Sequence, residues 1–244
     1  MKITFLGTRG GFPMGGQTSC TRIEAACGSL VIDLGSTRLF ENPAWIAAAD
    51  HVLMTHFHPD HIAHLASLII ARLNMPGVED PVSFVAPESV GDYLNDAKLG
   101  QVPGWRQEAG VPREWNGFSL HAVQTRHPRI NYAYRISDGH VSLVWTGDCT
   151  YSMELAEFCS GADVVVCEAS MKDCNQKNAD EWGHMTPSTF ARLMNEAQPR
   201  IAVTTHYTEL EPADFANAVR SLLDATIQLV PAYDGFELEI PKAG

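Results

Sequence analysis

The sequence predicts an α/β sandwich in which helices cover the outer faces of two β-sheets. Many short runs are rich in β-branched residues and bounded by Gly, Pro or Asp, which is typical of strands. Between several of these runs, apolar residues recur at three- and four-residue spacing, which indicates helices. Residues 119–146 are predicted to form an antiparallel meander, and this excludes a purely parallel, doubly wound sheet.

The predicted elements follow one another without a repeat, a low-complexity stretch or a linker, so residues 1–244 are expected to form one domain. Three helices are expected, at 62–73, 187–197 and 212–223, and Pro212 suits the first turn of the last one. Strands are expected at 2–6, 29–33, 51–55, 82–86, 119–125, 132–136, 141–146, 163–167, 201–205, 226–230 and 236–240.

The charge balance disfavours a protein that binds nucleic acid by broad electrostatic attraction, because such binding relies on Lys and Arg. The 244 residues contain 17 Lys plus Arg against 29 Asp plus Glu, a net charge of −12. No apolar run reaches the length of about 18 residues that a membrane span needs, and the N-terminal apolar stretch is too short for a signal peptide. The six Cys include no Cys-x-x-Cys pair, which indicates mostly buried, reduced side chains in a cytoplasmic protein.

The least regular segment, residues 99–117, contains Trp105 and Trp115 among several Gly and Pro residues. Long irregular loops often carry function, and exposed aromatic side chains can form a recognition surface. The alternative is that both tryptophans pack over the edge of the core, as large aromatic side chains generally do. The sequence favours the second interpretation and leaves the first open.

Residues 56–61 place three His and one Asp between a predicted strand and a predicted helix. His56 and His58 are two positions apart, so an extended backbone points both side chains the same way. Asp60 and His61 follow after the chain turns, so they can face a second centre. Imidazole and carboxylate are common ligands of divalent zinc. Three further candidate ligands lie at the ends of other predicted strands, namely His127, Asp148 and His206.

The chain resembles the metallo-β-lactamase-fold hydrolases, whose signature His-x-His-x-Asp-His stands here at residues 56–61. Within that superfamily it resembles the ribonuclease Z-like and phosphodiesterase branch. Residues 1–20 resemble the opening strand, glycine loop and second strand of that branch. Residues 167–170 (Cys-Glu-Ala-Ser) resemble its His-Glu-Ala-Thr motif with Cys167 in place of the His, and residues 184–186 resemble its His-x-Thr motif. The resemblance spans essentially the whole chain.

The resemblance implies an αββα sandwich with two metal ions at one edge. Zinc suits such a set of His and Asp ligands, although manganese or iron can occupy it. Two such ions can share a hydroxide, and Asp60 would orient that hydroxide or take up its proton. Homodimers are common in the family, so a homodimer is expected. One ion would be held by His56, His58 and His127, the other by Asp60, His61 and His206, and Asp148 would bridge the two.

The resemblance also places His184 near the scissile phosphate. There it would stabilise the developing charge or protonate the leaving oxygen. Glu168 would accept a hydrogen bond from its imidazole, which raises the basicity of the ring and fixes its tautomer. The alternative is a surface His that precedes a helix without a catalytic role.

The substrate that the sequence favours is a small phosphodiester, such as a nucleotide diester, cyclic ones included, or a sugar phosphate diester. In ribonuclease Z, a basic arm that grips transfer RNA is inserted between the ligands that match His127 and Asp148. Here 20 residues separate these two positions, and they predict a simple hairpin with an Asp-Gly turn. The missing arm and the acidic charge disfavour transfer RNA. Four cationic residues flank the predicted site loops and are candidates to neutralise a phosphate: Arg9, Arg126, Arg129 and Lys172. The alternative, at least as well supported for each residue by itself, is an ordinary solvated surface charge.

Three rival functions remain. The same metals in this fold can hydrolyse a thioester, a lactone or an aryl sulfate, because the fold does not fix the function. A ribonuclease Z-like nuclease that processes RNA 3′ ends is a second rival. A noncatalytic binder is the third, and the complete set of candidate ligands argues against it.

Overall fold

The fold consists of two seven-stranded mixed sheets packed face to face, with helices on both outer faces. A computed structural model describes residues 1–11 and 15–241, so residues 12–14 of the glycine loop and residues 242–244 of the expected domain lie outside the described residues. In spatial order the first sheet is β14 (Glu237–Glu239), β1 (Lys2–Gly7), β2 (Cys20–Ala25), β3 (Gly28–Ile32), β4 (His51–Leu53), β5 (Val82–Val85) and β6 (Trp105–Gln107). The second is β13 (Gln228–Pro231), β12 (Ile201–Thr205), β11 (Val164–Glu168), β10 (Ser142–Trp145), β9 (Tyr132–Ser137), β8 (Phe118–Gln124) and β7 (Glu114–Trp115).

Three apolar clusters separate the four layers. Between the sheets, the rings of Phe5 and Trp145 stack with centroids 6.0 Å apart. The alternation of side chains along β12 sends Ile201 and Val203 into this core and Ala202 toward the helices on the outer face.

The helices are α1 (Pro43–Ala47), α2 (Pro59–Ile62), α3 (Leu65–Leu73), α4 (Val90–Asp96), α5 (Met153–Cys159), α6 (Gln176–Trp182), α7 (Pro187–Ala197) and α8 (Pro212–Arg220), with short 3₁₀ helices at Thr37–Glu41 and Asp173–Asn175. The predicted αββα sandwich is confirmed.

All of the candidate ligands except His127 follow strands that take part in parallel pairing. Strands β3, β4, β5 and β6 pair in parallel, as do β10, β11, β12 and β13. The predicted meander is confirmed as the antiparallel strands β8, β9 and β10, and the turn between β9 and β10 contains Gly139 at φ 82°. Loops after β4, β8, β10 and β12 therefore meet at one edge of the sandwich, which is where ligands bind in such sheets.

The predicted helix 62–73 is interrupted. It is split into α2 and α3, because His64 adopts φ −113° and ψ 15° and its backbone N–H donates to Leu34 O at 2.8 Å. The His64 ring packs edge-on against Phe40, with ring centroids 5.7 Å apart. The predicted helix 187–197 is confirmed at both ends, since Pro187 occupies its first turn and Thr186 and Thr189 form a capping box.

The segment 99–117 contains two short strands, β6 and β7. Trp115 is only 7% exposed and belongs to the core between the sheets. Trp105 is half-buried against the outer core, and its indole N–H donates to Val102 O at 3.0 Å. The interpretation that both rings pack at the edge of the core is confirmed, and the exposed recognition surface is wrong.

Four of the six cysteines are buried, and all six are free thiols, which agrees with the expectation of mostly buried, reduced side chains. Within residues 1–11 and 15–241, no helix has the length and apolar character that crossing a membrane requires.

Candidate metal centre

The structure brings the seven predicted metal ligands together at one edge of the sandwich, from loops that are far apart in the sequence. The seven residues form two groups, and the ligand atoms within each group lie within 4.8 Å of one another. His206 directly follows β12 and adopts φ 58°, a left-handed backbone conformation. The first group is His56, His58, His127 and Asp148, and the second is Asp60, His61 and His206.

Asp148 lies between the two groups. Its Oδ1 is 3.5 Å from His61 Nε2 and 3.3 Å from His206 Nε2, whereas its Oδ2 is 3.7 Å from His56 Nε2. Burial raises the pKa of this carboxyl, but the imidazoles of His206, His61 and His56 outweigh that effect and hold the pKa well below its usual range. A carboxylate that turns one oxygen to each group has the geometry of a bridging ligand.

Hydrogen bonds fix the imidazoles from behind. In each of four rings, Nδ1–H faces a protein acceptor, which leaves Nε2 directed into the cluster. Such partners set the tautomer and orientation of metal-binding histidines. The pairs are His61 with Asp33 Oδ2 (2.7 Å), His206 with Ser170 Oγ (3.0 Å), His56 with Thr55 Oγ1 (3.1 Å) and His127 with Gly183 O (3.2 Å).

The nitrogens that face the cluster fit cations. His61 Nε2 and His206 Nε2 are 3.1 Å apart, and His127 Nε2 is 3.2 Å from His58 Nδ1. Since Nδ1 carries a proton in His61, His206 and His127, each Nε2 presents a lone pair when its ring is neutral. His56 Nε2 is buried and has no hydrogen-bond partner among the described residues. A buried nitrogen without a partner is costly, and imidazole nitrogens and carboxylates directed at one place are the ligand chemistry of zinc, so these residues fit divalent cations.

The pKa values differ between the two groups. Burial lowers the pKa of His56, His58 and His127, so these rings are neutral near pH 7, the form that binds metal. In His61 and His206 burial also lowers the pKa, but the Asp148 carboxylate and neighbouring Asp groups outweigh it and raise the pKa. A cation that binds His61 and His206 must therefore displace protons from these two rings.

Asp33 supports the centre and was missed in the sequence analysis. The buried carboxylate accepts hydrogen bonds from His61 Nδ1–H (2.7 Å), the Thr55 backbone N–H (2.8 Å), the Thr55 hydroxyl and the Ser19 hydroxyl. Its backbone has φ 56°, a left-handed conformation that Asp and Asn tolerate better than other non-glycine residues. The only sequence signal was an Asp at the end of the predicted strand 29–33, because its partner lies 28 positions away.

Two glycines of the first loop also form the site. The Gly11 backbone N–H donates to Asp60 Oδ2 at 2.7 Å, and the same oxygen is 3.2 Å from His206 Nε2. A Cβ atom on Gly10 would lie 2.2 Å from Cε1 of the His206 ring. Only a glycine at position 10 leaves room for the His206 ring. Asp60 is oriented by the Gly11 N–H on one side and by His206 on the other.

His184 and Glu168 form the predicted pair. The His184 Nδ1–H donates to Glu168 Oε1 at 2.7 Å, and the Cys149 backbone N–H donates to the same oxygen at 2.9 Å. Burial lowers the pKa of His184, but the Glu168 carboxylate, aided by Asp148 and Asp60, outweighs it and raises the pKa to about 9. His184 lies beside the ligands, with its ring centroid 5.5 Å from that of His127 and 5.9 Å from that of His206.

Three of the four candidate phosphate-binding cations pair with carboxylates. Arg9 forms a two-pronged ion pair with Glu211, and Arg129 forms one with Glu88. Arg126 lies 3.7 Å from Glu154. None of these residues, nor Lys172, lines the cavity over the ligand cluster. This cavity has a volume of about 150 Å³, and its described lining includes no Lys or Arg. The placement of these residues favours the interpretation as surface charges over a contact with the substrate phosphate.

Known proteins are similar to this chain in both sequence and fold. The model of the β-lactamase superfamily domain matches residues 31–207. The probable metallo-hydrolase YhfI of Bacillus subtilis is 28% identical over 223 residues, which cover 84% of this chain and 86% of YhfI. The crystal structure of YhfI, a metallo-β-lactamase fold protein, has a TM-score of 0.83 at 25% identity and covers 98% of this chain and 99% of its own.

Two further proteins are similar. The ribonuclease Z of Myxococcus xanthus is 25% identical over 307 aligned residues, 99% of this chain and 98% of the ribonuclease. The crystal structure of a diphosphatase from the PhnP family has a TM-score of 0.74 at 18% identity, over 99% of this chain and 98% of its own, and this likeness concerns the fold alone.

Proposed function

The chain belongs to the β-lactamase superfamily, within its metal-dependent hydrolases, and from this premise we propose that it is a dinuclear metal phosphodiesterase that cleaves a small phosphodiester. The observation that carries the proposal is the hydrogen-bonded pair of His184 and Glu168 beside the seven candidate ligands. A hydrolase needs a proton donor at this place when its leaving group is a poor one, such as an alkoxide.

The candidate ligands form two sets, one for each cation. His56, His58 and His127 would hold one divalent ion, most simply zinc, and Asp60, His61 and His206 would hold the other. Asp148 turns one oxygen to each group of histidines. Two bound cations would supply positive charge that lowers the pKa of water and stabilises the attacking and leaving oxygens.

The remaining side chains move protons and orient groups. Asp60, held by the Gly11 N–H and by His206, accepts the proton of the attacking water. Glu168 binds Nδ1–H of His184 and thereby presents the opposite nitrogen, Nε2, to the substrate. His184 donates its Nε2 proton to the leaving oxygen. The carboxylate partner keeps the ring protonated until that step, because it raises the pKa of the ring.

The charges around the cavity support a small substrate with one negative charge. The described lining has no Lys or Arg, and it includes the carboxylate of Glu209, so a substrate with several phosphates is disfavoured. The alignment with ribonuclease Z spans 307 residues, whereas this chain has 244, so the ribonuclease has segments that this chain lacks. Between His127 and Asp148 the chain has only the β9–β10 hairpin. These facts favour a small diester over transfer RNA.

A second candidate is hydrolysis of an uncharged ester, such as a lactone or a thioester, by the same metals. The cavity without Lys or Arg favours it, since an uncharged substrate needs no cationic side chain. The pair of His184 and Glu168 disfavours it, because a proton donor beside the ligands matters most for a poor alkoxide leaving group.

The test is His184→Ala, assayed on four substrates: bis(p-nitrophenyl) phosphate, a cyclic nucleotide, a lactone and a thioester. Loss of a general acid costs about 10²- to 10⁴-fold in rate. We expect that loss for the cyclic nucleotide and a smaller one for the p-nitrophenyl ester, because nitrophenolate leaves without a proton. His121→Ala, an exposed histidine on β8, is the control. Equal losses on both diesters, or a loss on the lactone alone, contradict the proposal.

A further inference from the structure

Trp182 is a large aromatic side chain left exposed at the mouth of the cavity. It is 53% exposed and is the last residue of α6, two positions before His184. Gly183 ends the helix at φ 72°, its carbonyl accepts from His127 Nδ1–H, and the His184 backbone N–H donates to Ala179 O at 2.8 Å. The backbone on the C-terminal side of Trp182 is therefore fixed by contacts with the candidate centre, while the indole itself is left facing solvent.

The position of Trp182 distinguishes it from the other exposed apolar side chains. Among the described residues, several large hydrophobic side chains are more than 40% exposed, including Met153 and Tyr233. Only Trp182 among them also lines the cavity that contains His184, His206 and Asp148. Exposing an indole to water is unfavourable, and binding a ligand against it recovers that cost. The exposed indole thus indicates a contact with the substrate.

We propose that Trp182 is a stacking platform for a planar ring on the substrate, an inference that rests on the proposed phosphodiesterase function. The substrate class is then an aryl or nucleoside phosphodiester. The ring belongs to the ester group on the His184 side, since Trp182 and His184 lie on one short segment of the chain. A sugar or glycerol diester presents no such ring.

The rest of the cavity agrees with a neutral ring. Met171 is buried in the lining and gives it an apolar surface. Glu209 is held by the Lys172 backbone N–H (2.9 Å) and the Asn175 side-chain amide (2.8 Å), so its negative charge is fixed at the cavity. An uncharged base or aryl group fits these surroundings better than a second phosphate.

The experiment compares two inhibitors that share a phosphorylated ribose and differ only in the base, adenosine 5′-monophosphate and ribose 5-phosphate. Inhibition constants are measured against hydrolysis of bis(p-nitrophenyl) phosphate by the metal-loaded protein. Stacking of one base contributes a factor of about 10 in affinity. We expect the wild type to bind the nucleotide about 10-fold more tightly than ribose 5-phosphate. Trp182→Ala should abolish this difference and leave the constant for ribose 5-phosphate unchanged.

Two more variants complete the design. Trp182→Phe should keep part of the difference, because a smaller ring still stacks. Tyr233→Ala, which removes an exposed aromatic ring outside the cavity, should keep all of it. Equal inhibition by the two compounds in the wild type, or an undiminished difference in Trp182→Ala, overturns the platform. If the wild type hydrolyses no phosphodiester, the proposed function fails instead. Calorimetric binding of the same two compounds then decides on the platform by itself.

Discussion

Replacement of Asp33 by Asn tests how the centre depends on a residue that contacts no substrate. The substitution keeps the size of the side chain, and Asn tolerates the φ of 56° that this position requires. It replaces one of the two carboxylate oxygens by an NH₂ group. Oδ1 accepts from the Thr55 backbone N–H, and Oδ2 accepts from His61 Nδ1–H, so one buried donor loses its acceptor in either orientation of the amide.

The expected magnitudes follow from these bonds. An unpaired buried donor costs about 1–3 kcal/mol, so the free energy of unfolding of the metal-free protein should fall by about 2 kcal/mol. If the NH₂ group faces His61, the proton of that ring moves to Nε2, which then cannot bind a cation. Loss of such a supporting partner typically lowers metal affinity by about 10- to 100-fold. We expect the loss at the ion held by Asp60, His61 and His206.

The assay is competition with a chromophoric chelator for the metal, together with urea unfolding of the metal-free protein. Asp163→Asn is the matched control, because Asp163 also accepts a backbone N–H, that of Ser142, but precedes β11 at the end opposite the site. The control should lose some stability and no metal affinity. Unchanged metal affinity in Asp33→Asn, or an equal loss in the control, would refute the reasoning.

Three further predictions concern the cations. Asp148→Ala should bind less than one equivalent of metal where the wild type binds two, as elemental analysis will show, and full binding by the variant contradicts the bridging role. Gly10→Ala should weaken metal binding and hydrolysis by about 10-fold or more in the same chelator and hydrolysis assays, because its Cβ displaces the His206 ring; wild-type values contradict this. Removal of both ions should lower Tm by about 10–20 °C, since each ion at 100 times its Kd contributes about 2.7 kcal/mol; an unchanged Tm in calorimetry contradicts metal binding at these residues.

The parts of the fold that were predictable from the sequence are those with local signals. The helix 187–197 and the strand 201–205 match α7 and β12 at both ends, because a capping residue, a proline and a β-branched run mark them. The candidate ligands at 56–61 were found because four of them lie within one turn between a strand and a helix. The break at His64 was missed, since it depends on a hydrogen bond to Leu34, a residue of another loop.

The supporting residues of the site could not be predicted, because their partners are distant in the sequence. Asp33 acquires its role only when β3 and β4 pair in parallel and bring it to Thr55 and His61. Arg9 was a candidate for a phosphate contact, and it pairs with Glu211, which is 202 positions away. Trp182 follows no motif, and its interest arises only from its place beside the cavity.

The central claim is that hydrolysis of a phosphodiester requires both cations. The most direct measurement is the rate of bis(p-nitrophenyl) phosphate hydrolysis as zinc is added stepwise to metal-free protein. Because Asp148 faces both ligand groups, we expect little activity at one equivalent and a steep rise that ends at two. Full activity at one equivalent or below, or no hydrolysis at two, would contradict the proposed dinuclear phosphodiesterase.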